Sequence, residues 1–415
     1  MHKLRTALLA GVVAAAIVVP AMAADTELKV NYGWTAPAEQ AAVQVLRDHL
    51  AKMGVKWTDF ALVQHDNGAN ISVVNMIAGG TPPDVFMQAD PGLFRDIKAQ
   101  GHAFPLTALY EKLGVTANLP DAVKKIITVD GEIVKAPMLV HIDGMLFYNK
   151  AVAAKVGVDP TKWTSMDAVW ADFDKIKAAG VIPLAIGGQK WQEGYLFHSL
   201  MAAYGSDIFD HFYSEHPDTA SFDSPSMRKV LDILRQFQQH ADPGSVNRDW
   251  NVTTSLVITG QALMQIHGDW MKGEFHAAGK VAGKDFGCIP IPGAQSVSVT
   301  VDAWGFYGSS DPAVTEAQNK LAALVVDPVV AAEFSLQKGS TPPVLNAPAD
   351  KLDECNQLVE GFLKDPTKQH PTPHNTTDAD WFNGTWDVVD RFWTDPTMTD
   401  DQAIAEFHKA YDAVY

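Results

Sequence analysis

Short apolar runs alternate with amphipathic stretches along this chain, and that alternation restricts its fold more than any other feature. "ELKVNY", "KWTDFALV", "PPDVFMQ", "VIPLAIGG", "ALMQIHG" and "FGCIPIPG" read as strands, the last three closed by glycine. "ISVVNMIAGG", "LFRDIKAQG" and "MRKVLDILRQFQQH" place their apolar residues at helical spacing, as does the segment from Pro37 through Val43, Leu46, Leu50 and Met53. Strands that take turns with helices build α/β architectures. Neither an internal repeat nor a low-complexity linker interrupts the series.

The first residues form a different pattern. Lys3 and Arg5 precede an apolar run from Ala7 to Val19, then Pro20 and Ala21-Met22-Ala23. This order is that of a secretory signal peptide, cut after Ala23, and suits a bacterial periplasm. About 390 residues then remain, above the roughly 250 to 300 at which one core stops growing, so two lobes are expected. Removing Lys3 and Arg5 takes the net charge from −17 to −19. Such a surface repels nucleic acid and anionic lipid. Cys288 and Cys355 are the whole thiol content, and in an oxidising compartment they are either one disulfide or two buried thiols.

Several enzyme signals are absent. There is no G-x-S-x-G, H-E-x-x-H or G-x-G-x-x-G, and "GKVAGKD" falls one residue short of a phosphate loop and reads as a polar turn. His370 and His374 have metal-ligand spacing, but the intervening "PTP" forbids the helix that would align them. No cofactor or metal site is therefore expected. Paired carboxylates for glycoside hydrolysis remain a rival reading, because sequence alone cannot say which acids meet.

"WTAPAE", residues 34 to 39, puts Trp34 on the turn between a strand end and a helix start, where open α/β sheets place ligands. Four longer stretches, in this order, are similar to the extracellular solute-binding proteins of sugar ABC transporters: "AGGTPPDVF", "MLFYNKAVAAKVGVDP", "GQALMQIHGDWMKGEF" and "WDVVDRFWTDPTMTDDQAIAEFHKAYDAV". Within that family "WTAPAE", "GGQKWQ", "HGDWMKGEF" and "LQKGSTPP" most resemble the glucose- and mannose-binding branch. The resemblance implies a two-lobed periplasmic binding protein fold, α/β in class, with hinge strands between the lobes near "APMLVH" and "SVTVDA". The implied lobes are 24–137 plus 303–345, and 138–302 plus 346–415. It implies a monomeric periplasmic protein, not an enzyme, that encloses a hexose and hands it to a membrane permease.

Carried over motif by motif, the implied sugar-binding residues are Trp34, Glu39, Trp270, Asp302, Lys338 and His374, with Trp191 from the second lobe. Indole faces suit the C–H faces of a pyranose, and charged groups make the stronger hydrogen bonds to its hydroxyls. The chain departs from the branch at Met87 and Ala89, at Ile142 after His141, and in lacking an arginine after "TPP". One sugar hydroxyl contact is expected either to be lost there or to be supplied by Gln88 or Asp90. Another hexose, a pentose, a polyol or a disaccharide fits the same scaffold. Plainer readings stand beside these: Trp34 and Trp191 as core, Glu39 as a helix N-terminal acid, Trp270 and Asp302 as turn residues, Lys338 as a helix-end cation, and His374 as an exposed loop residue. Trp386, Val389 and Trp393 keep helical spacing and are assigned to the core.

Overall fold

A computed structural model describes residues 26–60, 69–87 and 91–415. The signal segment and the site candidates Gln88 and Asp90 lie outside the described residues, as does the "ALV" end of one expected strand. Among the described residues the strands are β1 (Thr26–Asn31), β2 (Val55–Asp59), β3 (Val85–Met87), β4 (Thr128–Val129), β5 (Glu132–Ile133), β6 (Ala136–Asp143), β7 (Met145–Asn149), β8 (Ile182–Ala185), β9 (Ala262–His267), β10 (Phe286–Pro290), β11 (Val297–Phe306) and β12 (Gln369–Pro371). They form two main sheets. The first runs β12-β11-β3-β1-β2 with β6 also paired to β11, and the second runs β10-β7-β9-β8. β4 and β5 make a small hairpin.

The expected helices form for the reasons their sequences suggest. Pro37 opens the helix Pro37–Lys52 at a position where its missing N–H costs nothing, and Ala42, Val43, Leu46 and Leu50 make its buried stripe. Ser224 caps the helix Pro225–His240 by accepting the Met227 N–H, and the buried face carries Met227, Val230, Leu231, Leu234 and Phe237. One large apolar core lies around the first sheet and reaches the helices Trp250–Ile258 and Met271–Ala277, and a second fills the far side of the second sheet under the C-terminal helices.

The chain passes from the first sheet to the second at Gly144, the single residue between β6 and β7, and returns through 291–296 between β10 and β11. The boundaries expected at 137/138 and 302/303 both fall inside these crossing strands, while β12 of the first sheet comes from the 346–415 segment. Gly144 has φ +75°, and an added Cβ would lie 2.4 Å from the Ser199 Cβ, so this turn admits glycine alone. A third connection is tied by a disulfide between Cys288 on β10 and Cys355 on the helix Glu354–Leu363.

These connections set two expectations for stability. Gly144→Ala should lower the urea midpoint by an amount corresponding to about 3 kcal/mol, the sum of left-handed strain and overpacking. The disulfide closes a loop of 67 residues, which in the chain-entropy model stabilises by about 4 kcal/mol. Dithiothreitol should therefore lower the melting temperature, and a melting curve that does not move would show that the packing of the helix Glu354–Leu363 holds without the bond.

Candidate functional site

The site is built on the ribbon that carries the chain between the sheets. β6 and β11 pair antiparallel, Asp143 opposite Ser298, Ile142 opposite Val299, His141 opposite Thr300 and Val140 opposite Val301. Side chains alternate along a strand, so Val140, Ile142, Val299 and Val301 enter the core on one face while His141, Asp143, Ser298, Thr300 and Asp302 line up on the other. All five polar residues are buried, and such groups require partners. Asp143 accepts from Ser298 Oγ at 2.7 Å and from Thr300 Oγ1 at 2.8 Å. Burial pushes its carboxyl up to about 7, against the pull of those two hydroxyls.

The second sheet meets this polar face through the turn after β9. The Asp269 N–H donates to the Ile142 carbonyl at 3.1 Å, which pins the turn to the ribbon, and the Asp269 carboxyl contacts His141 Nδ1. Burial raises Asp269 to about 8 and lowers His141 to about 3, so the acid is mostly protonated and the imidazole neutral at pH 7. His141 Nε2 lies 3.7 Å from Asp302 Oδ2 and has no hydrogen-bond partner among the described residues. Trp270 stands edge to plane with three rings, His141 at 5.1 Å, His267 at 4.9 Å and Tyr195 at 5.4 Å. Its indole lies against Gly268, where a Cβ would come within 2.0 Å of the ring, and this accounts for the glycine in "HGDW".

The first sheet's helices bring a cation and an acid. Glu39 Oε2 accepts the backbone N–H groups of Thr35 and Ala36, each at 2.9 Å, while Lys338 Nζ donates to Oε1 at 3.3 Å. The helix Pro328–Lys338 ends in left-handed Gly339, and a Cβ there would stand 2.2 Å from the Gly273 nitrogen. Gly273 belongs to the helix Met271–Ala277, so two glycines let the elements carrying Lys338 and Trp270 approach closely. Lys338 Nζ also sits 5.0 Å from the centre of the Trp34 ring. Trp34 is 1% exposed and packs with Tyr32, Trp304 and Phe334.

The outer wall comes from the helix Lys190–Tyr204 and the C-terminal segment. Trp191 is half-buried, donates to Gln189 Oε1 at 2.8 Å, and lies 5.4 Å from His267. His374 Nδ1 is 3.4 Å from the Tyr195 hydroxyl and 3.2 Å from Thr372 Oγ1, and burial lowers its pKa to about 3.

The described candidates therefore fall into one connected cluster. Lys338 and Glu39 act electrostatically on His141, His141 touches Trp270, and Trp270 leads through Tyr195 to His374 and through His267 to Trp191. His370 turns elsewhere, its Nδ1 3.0 Å from Asp210 and its Nε2 2.9 Å from Ser206 Oγ.

Trp386 corrects its assignment to the core. Val389 and Trp393 are buried, but Trp386 is half-buried beside Tyr195 and donates to His198 Nε2 at 3.0 Å. The residues that sequence reasoning passed over are His141, Asp143, Tyr195, Asp269, Ser298 and Thr300. A signal for two of the positions, Ser298 and Thr300, was present: "VSVTVD" alternates apolar and polar without a break, which marks a strand with one polar face.

Chemically, the cluster offers aromatic surface, neutral imidazoles, hydroxyls and carboxyls in a water-poor interior, a set suited to holding a polyhydroxylated molecule. The family model described as "Bacterial extracellular solute-binding protein" matches residues 33–318. A "Probable sugar-binding periplasmic protein" of Mesorhizobium japonicum is 34% identical over 99% of both chains, and one of Brucella suis is 30% identical over 88% of this chain and 87% of its own. Among solved structures, a "Chitin oligosaccharide binding protein" superposes with TM-score 0.79 at 17% identity, covering 94% of this chain and 98% of that one. A bacterial solute receptor described as preferring β-D-galactopyranose gives TM-score 0.76 at 19% identity, with 94% and 98% covered. Two lobes of mixed helix and sheet are common to these folds, and this chain belongs to the bacterial extracellular solute-binding proteins.

Proposed function

We propose that the protein is the periplasmic sugar-binding component of an ABC importer, and that it encloses a monosaccharide, glucose or a related hexose, between its lobes. The observation that carries this reading is the convergence of Trp270, Asp302 and His141 with Lys338 and Glu39, groups from both sheets, on one buried polar face. The names of the relatives in Mesorhizobium and Brucella support a sugar, and the likeness to the glucose- and mannose-binding branch supports a hexose. The lobes, 24–137 with 303–345 and 138–302 with 346–415, would part about β6 and β11.

In this reading Trp270 covers a sugar face, while Asp302, Lys338 and Glu39 address hydroxyls. Trp34 carries Lys338 on its ring and so holds the ammonium in place, and Trp191 and His374 close the outer side. Groups from both lobes meet the ligand together only in the closed form, so binding shifts the population toward closure. The closed, monomeric protein then presents a joined surface to the membrane permease.

A second reading is favoured by the aromatic rings that continue past Trp270, namely Tyr195, Trp191 and Trp386: a disaccharide or short oligosaccharide. A tryptophan-fluorescence titration of ligand-stripped protein with D-glucose, other hexoses, pentoses, polyols and disaccharides separates the two. Saturation by a hexose at micromolar concentration supports the monosaccharide reading, tighter binding of disaccharides supports the other, and silence from every sugar sinks both. Release of product would instead identify a glycosidase.

Trp270→Ala should weaken the best ligand by about 2 kcal/mol, roughly 30-fold, without loss of helical signal in circular dichroism. Small-angle scattering should show compaction when that sugar is added, and an unchanged radius of gyration would remove the closure mechanism.

A further inference from the structure

The imidazole of His141 is 1% exposed, yet only one of its nitrogens is engaged. Nδ1 meets Asp269 from the turn after β9, and Nε2 points toward Asp302 on β11 at 3.7 Å, beside the edge of Trp270, with no hydrogen-bond partner among the described residues. A buried imidazole nitrogen without a partner costs about 1 to 3 kcal/mol. Such a cost is tolerated where a ligand supplies the missing bond.

We propose that His141 reads a ligand hydroxyl through Nε2, and that Asp269 is the positioning residue that decides whether Nε2 offers a donor or an acceptor. The inference rests on the sugar-site reading above and adds to it two residues that hold no role there by motif. A neutral carboxylic acid donates its O–H to Nδ1, which leaves the imidazole hydrogen on Nε2 as a donor toward the ligand or Asp302. An ionised Asp269 would accept from Nδ1–H and turn Nε2 into an acceptor.

The surroundings select the first arrangement. Burial raises Asp269 to about 8, against the charges of Lys272 and Lys338 and with the charge of Asp353. The charges of Lys338 and Lys272 act on His141 against those of Asp302 and Glu39, and burial keeps it uncharged. Lys272 is also paired with Asp353 at 3.1 Å, and its charge lowers the Asp269 value by less than burial raises it. Asp143, also on β6 and facing Ser298 and Thr300, adds a separate titration near 7.

Closure and protonation are linked. Where closure is what buries Asp269, the acid takes up a proton as the lobes close, and its contribution is full below its exposed value and is progressively lost as pH rises toward about 8. Ligand affinity should fall with rising pH, by up to about tenfold per unit for each proton taken up.

The experiment is a titration of wild type, Asp269→Asn, Asp269→Ala and His141→Gln with D-glucose and D-galactose between pH 6 and 9, with circular dichroism to check folding. An asparagine amide still donates to Nδ1, so Asp269→Asn should keep affinity within about threefold at pH 6 and lose one proton's worth of the pH slope. Asp269→Ala and His141→Gln should each weaken binding about tenfold or more, the size of one buried hydrogen bond.

If Asp269→Asn keeps the wild-type slope, or if His141→Gln binds as tightly as wild type, the proposal is overturned while the sugar site stands. If wild type binds neither these sugars nor any other of the panel above, the site reading has failed and this inference goes with it. Should His141→Gln fail to fold, wild type and Asp269→Asn decide through their slopes alone.

Discussion

The pairing of β6 with β11 is the interaction on which the rest of the architecture depends. These strands carry the chain out of the first sheet and back into it, and every residue in both is buried. Their apolar face belongs to the large core, which anchors the ribbon, and their polar face is tolerable because its groups find one another. Ser298 and Thr300 satisfy Asp143, and Asp269 reaches in from the second sheet to His141. The hydrogen bonds that stabilise the buried ribbon thus also set the two sheets against each other.

Electrostatics in this interior follow burial more than charge. His141, His267 and His374 are all lowered to about 3 by desolvation, while Asp143 and Asp269 are raised, so the centre is held by neutral hydrogen-bonding groups. The cations are matched locally. Lys338 pairs with Glu39, and Lys272 pairs with Asp353, whose carboxyl stays well below the usual range because His276 and Lys272 outweigh its burial. Leaving either buried partner alone would be strongly destabilising, so each pair fixes the position of its charged groups.

Much of the fold was legible because strand and helix periodicities are local properties. β1, β8, β9 and β10 and the helices from Pro37 and Pro225 lie where their patterns placed them. The glycines of "HGDW", "WMKGEF" and "LQKGS" were visible as motifs, but the reason for them was not: Gly268 underlies the Trp270 ring, and Gly273 and Gly339 face each other across two elements. Trp386 shows the limit of periodicity, since its helical spacing matches that of Val389 and Trp393 while it is half-buried against Tyr195 and His198. The state of the cysteines was equally open until β10 and the helix Glu354–Leu363 brought their Cα atoms to 6.0 Å.

The sequence by itself determined the α/β class, the order of the elements and the residue types available for a ligand, because each depends on neighbours a few positions away. Tertiary structure alone decided which of those residues meet. His141 and Asp269 are 128 positions apart and Glu39 and Lys338 are 299 apart. Their protonation and pairing are set by burial and by groups from distant segments, and a desolvation energy exists only once the chain has closed around them.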